Sequence, residues 1–266
     1  MAQLQVIRTA GRVERQPLLQ MGARVGYAVS GVLHLLIGWL AFQVAWSAGT
    51  APADQSGALQ ALTRNELGRL TLWVSVAGFL ALGLWQLANT LASHRQRGSS
   101  PWSIRVKGIA KTVLYLALAW ASFSTANGHP GSSTAQSADV TATLLQHQGG
   151  RVVVAGVGLA VIGAGIYHVF KGWTKKFLRD LSRHPGVLAT RAGVIGYIAK
   201  GVALCVVGVL FFLGAAQNSA LKTTGLDGAL RTLRGQPNGP WLLTAVALGI
   251  AAYGVYSFAR AKHARV

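Results

Sequence analysis

The chain has 266 residues, of which 52 % are hydrophobic and only 12 % charged, and its mean hydropathy is +0.41. A soluble domain carries about a quarter charged residues, so this composition excludes an ordinary water-soluble fold and makes lipid the main solvent. The formal net charge of +19 would suit a nucleic-acid partner in a soluble protein, but the placement of the charges gives it another cause.

Residues 1–20 read as a polar, basic tail. They hold neither an apolar h-region nor a small-residue cleavage site, so the first span is expected to act as the insertion signal. Apolar runs of low charge follow at 25–46, 70–91, 104–126, 152–171, 192–215 and 241–260. Each has roughly the 20 residues that cross a hydrocarbon core of about 30 Å. The connections at 47–69, 127–151 and 216–240 are rich in Gly, Ser, Thr, Ala and Gln, whereas those at 92–103 and 172–191, with both termini, are rich in Arg and Lys. The second side holds 19 of the 25 basic residues and a net charge of +17 against +2. The positive-inside rule therefore predicts cytoplasmic termini and accounts for the basicity without nucleic acid. The lone Cys205 lies in an apolar run and can form neither an intramolecular disulfide nor, by itself, a metal site.

Self-comparison shows a threefold internal repeat. Gly26-Tyr27-x2-Ser30-Gly31-Val32 falls on Gly196-Tyr197-x2-Lys200-Gly201-Val202, and Arg24-x5-Ser30-Gly31-Val32 falls on Arg105-x5-Lys111-Thr112-Val113. In the second helix, Gly83-x-Trp85-Gln86-x2-Asn89 aligns with Gly165-x-Tyr167-His168-x2-Lys171 and Gly254-x-Tyr256-Ser257-x2-Arg260. The connection keeps the register, with Gly57-Ala58-Leu59-x2-Leu62 over Gly228-Ala229-Leu230-x2-Leu233. The predicted fold is an all-α integral membrane protein of three two-helix units, at 21–93, 102–174 and 191–262, with a basic connection at 175–190. Each unit begins and ends on one side, so the repeats are parallel, which predicts a pseudo-threefold arrangement rather than inverted repeats.

With these motifs the chain resembles a bacterial, mainly actinobacterial, membrane family defined as a repeated domain of unknown function. The resemblance runs from about Met21 to near the end. It implies three units and a cell-membrane location, and no activity. The middle unit departs most: it lacks the Gly-Tyr pair and has Asp139-Val140-Thr141 where the others have Gly-Ala-Leu.

No acidic residue falls within the six runs, and the chain holds no P-loop, HExxH or CxxC framework. Ion-coupled transport and hydrolytic chemistry are therefore disfavoured. His34 shares a helix face with Gly31 and Gly38, where a polar side chain bonds across a tight helix contact or meets a ligand. The repeat equivalents Gln86, His168 and Ser257 would form either a polar ring or separate interhelical hydrogen bonds. Lys111 and Lys200, equivalent to Ser30, are expected to snorkel to the interface or to hold an anion. Trp85, Tyr167 and Tyr256 read as an interfacial aromatic belt. No cofactor is implied. Two membrane histidines raise the question of haem, but His34 and His168 lie at different depths along their helices, which disfavours a shared iron.

The segment 170–181 places Trp173, Phe177 and Leu181 at four-residue spacing among Lys171, Lys175, Lys176 and Arg179. It reads as a basic amphipathic turn lying on an anionic leaflet. Two functional readings stay open. One is a non-catalytic accessory, lipid-binding or structural subunit of a membrane complex, partnered by the bilayer, by anionic lipids and by other membrane subunits. The other is a small-solute or anion permeation protein using the pseudo-threefold axis.

Overall fold

A computed structural model describes residues 17–47, 51–96 and 102–265; the basic tail lies mostly outside them. Six long helices are apolar enough to cross a membrane: α1 (Pro17–Trp46), α3 (Glu66–Gln96), α4 (Trp102–Ala126), α6 (Gly150–Trp173), α7 (Val187–Ala216) and α9 (Gly239–His263). Between the helices of each pair lies a short helix, α2 (Gln55–Leu62), α5 (Ser133–Leu145) or α8 (Gly225–Arg234). The sequence treated these segments as polar loops. They are helical because Ala58, Leu59 and Leu62, and likewise Ala229 and Leu230, sit at helical spacing and turn into the core.

Side-chain caps start two of the short helices. The Asp54 carboxylate accepts from Gly57 N at 3.1 Å, and the Ser132 hydroxyl accepts from Ala135 N at 3.1 Å, each satisfying a free N–H of the first turn. Asp227 of α8 reaches the first unit, accepting from Ala53 N at 2.8 Å while pairing with Arg231 at 2.9 Å. Arg231 in turn donates to the Ala51 carbonyl at 3.3 Å. The short helices thus lie at one end of the bundle, the loop end. Ser182 N donates to the His263 carbonyl at 2.7 Å at the other, basic end.

The six spans pack in the order α4, α3, α1, α9, α7, α6. Glycines set the closest approaches. A Cβ at Gly201 would lie 2.6 Å from the Gly165 carbonyl oxygen, and one at Gly31 would lie 3.0 Å from that of Gly254. These are matched contacts between units, α6 on α7 and α9 on α1. Within units, Gly26 meets Gly78 and Gly249 meets Ala199, so α1 holds α3 and α7 holds α9. In a bilayer, where lipid tails are as apolar as the helices, such backbone proximity supplies much of the packing energy.

The second unit breaks this rule. Lys107 stands where the others have Gly26 and Gly196, and Ala160 where they have Gly78 and Gly249. Accordingly α4 and α6 make little backbone contact with one another among the described residues. Leu33, Ile37, Ala203 and Val207 are buried in units one and three, while their counterpart Leu114 is exposed and Leu118 only half-buried. On α6 the face formed by Gly156, Ala160, Gly163 and Tyr167 is exposed throughout. A seam therefore runs between α4 and α6.

Two glycine substitutions separate packed from open surface. Gly201→Val drives a side chain into the α6 backbone and should cost about 1–3 kcal/mol, as overpacking does. Gly156→Ala has open space around the new methyl and should be neutral or stabilising by about 0.5–1 kcal/mol. Thermal unfolding in detergent measures both; equal effects would contradict the packing order.

Candidate functional site

The two halves of the bundle differ in chemistry. Towards the loop end the interior is apolar, filled by Leu33, Ile37, Leu40, Val44, Leu72, Phe79, Leu243 and Ile250. Towards the basic end it is aromatic and cationic.

The repeat builds a cation–ring contact at two of the three interfaces between units. At α9–α1 the Arg260 guanidinium sits 4.2 Å from the Tyr27 ring centre and donates to the Tyr27 hydroxyl at 3.3 Å. At α6–α7 the equivalent Lys171 sits 5.4 Å from the equivalent Tyr197 ring. At α3–α4 both halves are missing: Asn89 replaces the cation and Gly108 the tyrosine, and Thr90 packs against Gly108 instead. A cation over an aromatic face gains about 0.5–2 kcal/mol.

A further cation lies deeper. Lys200 is 13 residues along α7, about 20 Å from the helix start at 1.5 Å per residue. Its ammonium is 3.2 Å from His34 Nε2 and 4.4 Å from the Tyr253 ring centre. His34 Nδ1 is 2.7 Å from the Ser30 carbonyl oxygen. A carbonyl only accepts, so Nδ1 carries the proton and Nε2 accepts from Lys200.

The expected interfacial roles therefore need correction at several positions. Lys200 does not snorkel outward; His34 and Tyr253 draw it inward. Lys111 is exposed on α4, within electrostatic reach of Arg260 and Lys171. Gln86, His168 and Ser257 neither form a ring nor bond between helices. Gln86 donates to Thr90 at 3.3 Å, His168 Nδ1 to the Ala164 carbonyl at 2.7 Å, and Ser257 to the Tyr253 carbonyl at 2.9 Å. Each bonds within its own helix one turn away, the cheapest satisfaction available in a bilayer. Of the expected belt, Trp85 and Tyr256 are buried, and Tyr167 alone is exposed.

The segment after α6 also differs from expectation. Phe177 is 0 % exposed and Leu181 is buried. Both tuck into the basic end rather than lying on a leaflet. Phe177 stacks on Tyr197 with ring centres 5.2 Å apart and meets Tyr256 edge-on at 5.0 Å. Gly193 makes room, since a Cβ there would strike the Phe177 ring. The reversal comes from the left-handed turn at Lys175 (φ 54°) and the short 3₁₀ helix Lys176–Asp180, which fold the chain back. Asp180 holds Lys171 at 2.6 Å. Lys175, Lys176 and Arg179 stay exposed, and Trp173 is 77 % exposed.

The charges do not balance. Asp180 is the one acid at the basic end among the described residues, and Lys171 already pairs with it. Lys200, Arg260 and Lys111 have no carboxylate partner there, and Arg260 Nε is buried without a hydrogen bond.

The family model for a domain of unknown function, DUF1206, matches three times, at residues 25–92, 106–175 and 195–264. The chain belongs to this family. Each match spans one helical unit of the fold. The chain is also 27 % identical over 251 residues to the uncharacterized protein YxxB of Bacillus subtilis strain 168, covering 92 % of this chain and 90 % of that one. No solved structure matches.

Phe177→Ala should cost about 3–5 kcal/mol, the loss for a buried aromatic, whereas Trp173→Ala should change stability little. Thermal unfolding distinguishes them; similar small effects would return Phe177 to the membrane surface.

Proposed function

We propose that the protein is a non-catalytic multi-pass protein of the cell membrane that binds an anion of the phosphate class in the basic half of its helix bundle. The observation that carries this reading is a set of cations with no carboxylate partner among the described residues: Lys200 and Arg260 inside the basic half, and Lys111 exposed on α4 beside them. A lysine or arginine at mid-membrane costs about 2.5–3.5 kcal/mol on insertion scales. Tyr27, Tyr253 and His34 offset part of this for Arg260 and Lys200, at about 0.5–2 kcal/mol for each cation–ring contact. An anion shared among the three would offset the remainder.

The permeation alternative gains less support. The apolar core of the loop half lies on the path that a solute would take past Lys200, and the polar groups below it do not continue through. A binding site entered from one side needs no such path. The same reading supplies the orientation: the basic end faces the cytoplasm, as the distribution of Lys and Arg favours, and the short helices face outward.

Two measurements test it. Short-chain phosphatidic acid or inorganic phosphate near saturation should raise the unfolding midpoint of the detergent-purified protein by about 5–10 °C. Lys200→Met should abolish that response while leaving the unliganded protein as stable or more stable, because like-charge repulsion is removed. A destabilised unliganded variant would make Lys200 a structural residue, and anion flux through liposomes holding the protein alone would favour permeation. For the orientation, in a Cys205→Ala background, Arg183→Cys should react with an impermeant maleimide only after the membrane is opened. Gln146→Cys should react from outside in intact cells, and the reverse pattern would invert the topology.

A further inference from the structure

The seam between α4 and α6 joins the cationic half of the bundle to the bilayer side-on. Two observations, independent of the interior charge, define it. The first is the exchange of residues at the positions that close the other two units. Gly26 on Gly78 brings α1 onto α3, and Gly196 on Tyr253 with Gly249 on Ala199 brings α7 onto α9; Lys107 and Ala160 stand at these positions in the second unit, and α4 and α6 are not drawn together in this way. The second is exposure. The face of α4 carrying Lys107, Lys111 and Leu114 is open along its length, as is the facing row Gly156, Ala160, Gly163 and Tyr167 of α6. On α6, a Cβ at Gly156 or at Gly163 would meet nothing within 4 Å.

The chemistry along the seam is graded. Its two lysines occur one turn apart near the basic end of α4, and the Lys107 ammonium bridges to the Tyr167 ring at 5.4 Å. Beyond them it offers Leu114, Ala160 and the two glycines, until Leu114 and Leu118 meet a cavity at the loop end that Gln55, Ser56, Ser133 and Gln136 also line. Lys107 and Lys111 lie on the side of the cations Lys171 and Arg260, with which Lys111 is electrostatically coupled. A slot that is cationic at one end and apolar through its middle length matches an anionic amphiphile lying parallel to the helices. It does not match a free anion, which gains nothing from the apolar length, nor a polar solute.

Resting on the anion-binding reading above, we infer that the occupant of the seam is a membrane phospholipid with an anionic phosphate headgroup. The phosphate lies against Lys107 and Lys111, and one acyl chain runs along Leu114, Ala160 and Gly163. The lipid enters sideways from the leaflet at the basic end. The second unit thus supplies the binding slot, while the first and third supply the closed scaffold. A second copy of the chain or another subunit's helix could fill an apolar groove, but neither would account for two lysines placed at its end.

The test uses the full chain in nanodiscs of phosphatidylcholine, doped with a phosphatidic acid carrying a photoactivatable diazirine in its acyl chain. The zwitterionic phosphatidylcholine bearing the same diazirine chain serves as the control. Adducts of the anionic probe should concentrate on 106–118 and 156–167, well above the control. Lys107→Gln and Lys111→Gln should each lower them about fivefold, the equivalent of one basic residue near an anionic lipid. Gly163→Phe, placed where the fold leaves space, should remove the adducts yet preserve stabilisation by inorganic phosphate. Even labelling around the six helices, or labelling indifferent to probe charge, would overturn the seam while leaving the interior anion site standing if phosphate still stabilises the protein. A dimer or a co-purified subunit that shields 156–167 from both probes would overturn the lipid as occupant. Loss of both the labelling and the phosphate response in the wild-type protein would remove the site altogether.

Discussion

Backbone proximity governs this bundle. Helices in a bilayer gain no hydrophobic energy by meeting, so they hold together where small residues let their backbones touch. Gly165 against Gly201, Gly254 against Gly31, and Gly78 against Gly26 are such places. The first two are one contact at matched positions of different units, and Gly249 on Ala199 closes the third unit as Gly78 on Gly26 closes the first, so three copies of one sequence pattern assemble into one continuous row of spans. Where the pattern lapses, at Lys107 and Ala160, the row ends. The same handful of positions therefore decides both what is closed and what is open.

The cations follow from the same geometry. Close packing of α9 on α1 and of α6 on α7 sets the second helix of one unit beside the first helix of the next. A cation three residues past the repeat's Gln86/His168/Ser257 position then falls over a tyrosine, as Arg260 does on Tyr27 and Lys171 on Tyr197. The α3–α4 interface lacks the cation and the ring together. That joint absence argues that the pair works as a unit, because either member alone would be an unsatisfied group in the interior. Lys200 has no counterpart of this kind: His34 and Tyr253 hold it from two other helices.

Much of the scaffold was legible in the sequence. Apolar length gave the six spans, and the constant offsets gave the three units, because both depend on periodicity that a linear string preserves. The short helices α2, α5 and α8 were hidden, since eight to thirteen residues with a polar average disguise an apolar stripe. The candidate residues were harder. Gln86, His168 and Ser257 align, but alignment along the chain does not say whether a side chain turns to its own backbone or to a neighbour, and all three turn to their own. Phe177 and Leu181 had the right spacing for a membrane surface; a single left-handed residue, Lys175, reversed the chain and buried them. Lys200 looked like its neighbours near an interface, and only the position of His34 on another helix explains its inward course. The seam itself is written in the sequence at Lys107, which stands where the other two units have glycine.

The helix α5 joins the two spans that end the packed row. Spans α4 and α6 stand at opposite ends of the packed row, yet only the short connection containing Ser133–Leu145 separates them in the chain. The molecule is in effect a horseshoe whose tips are tied covalently by a strap at the loop end and touch elsewhere through Lys107 on the Tyr167 ring. Any widening of the mouth must pivot about that strap and flex the α1–α9 pair at the back of the bow, which Asp227 clamps through Ala53. Towards the basic end the tips are spanned by the Lys107–Tyr167 contact in place of a strap, so they can part most there.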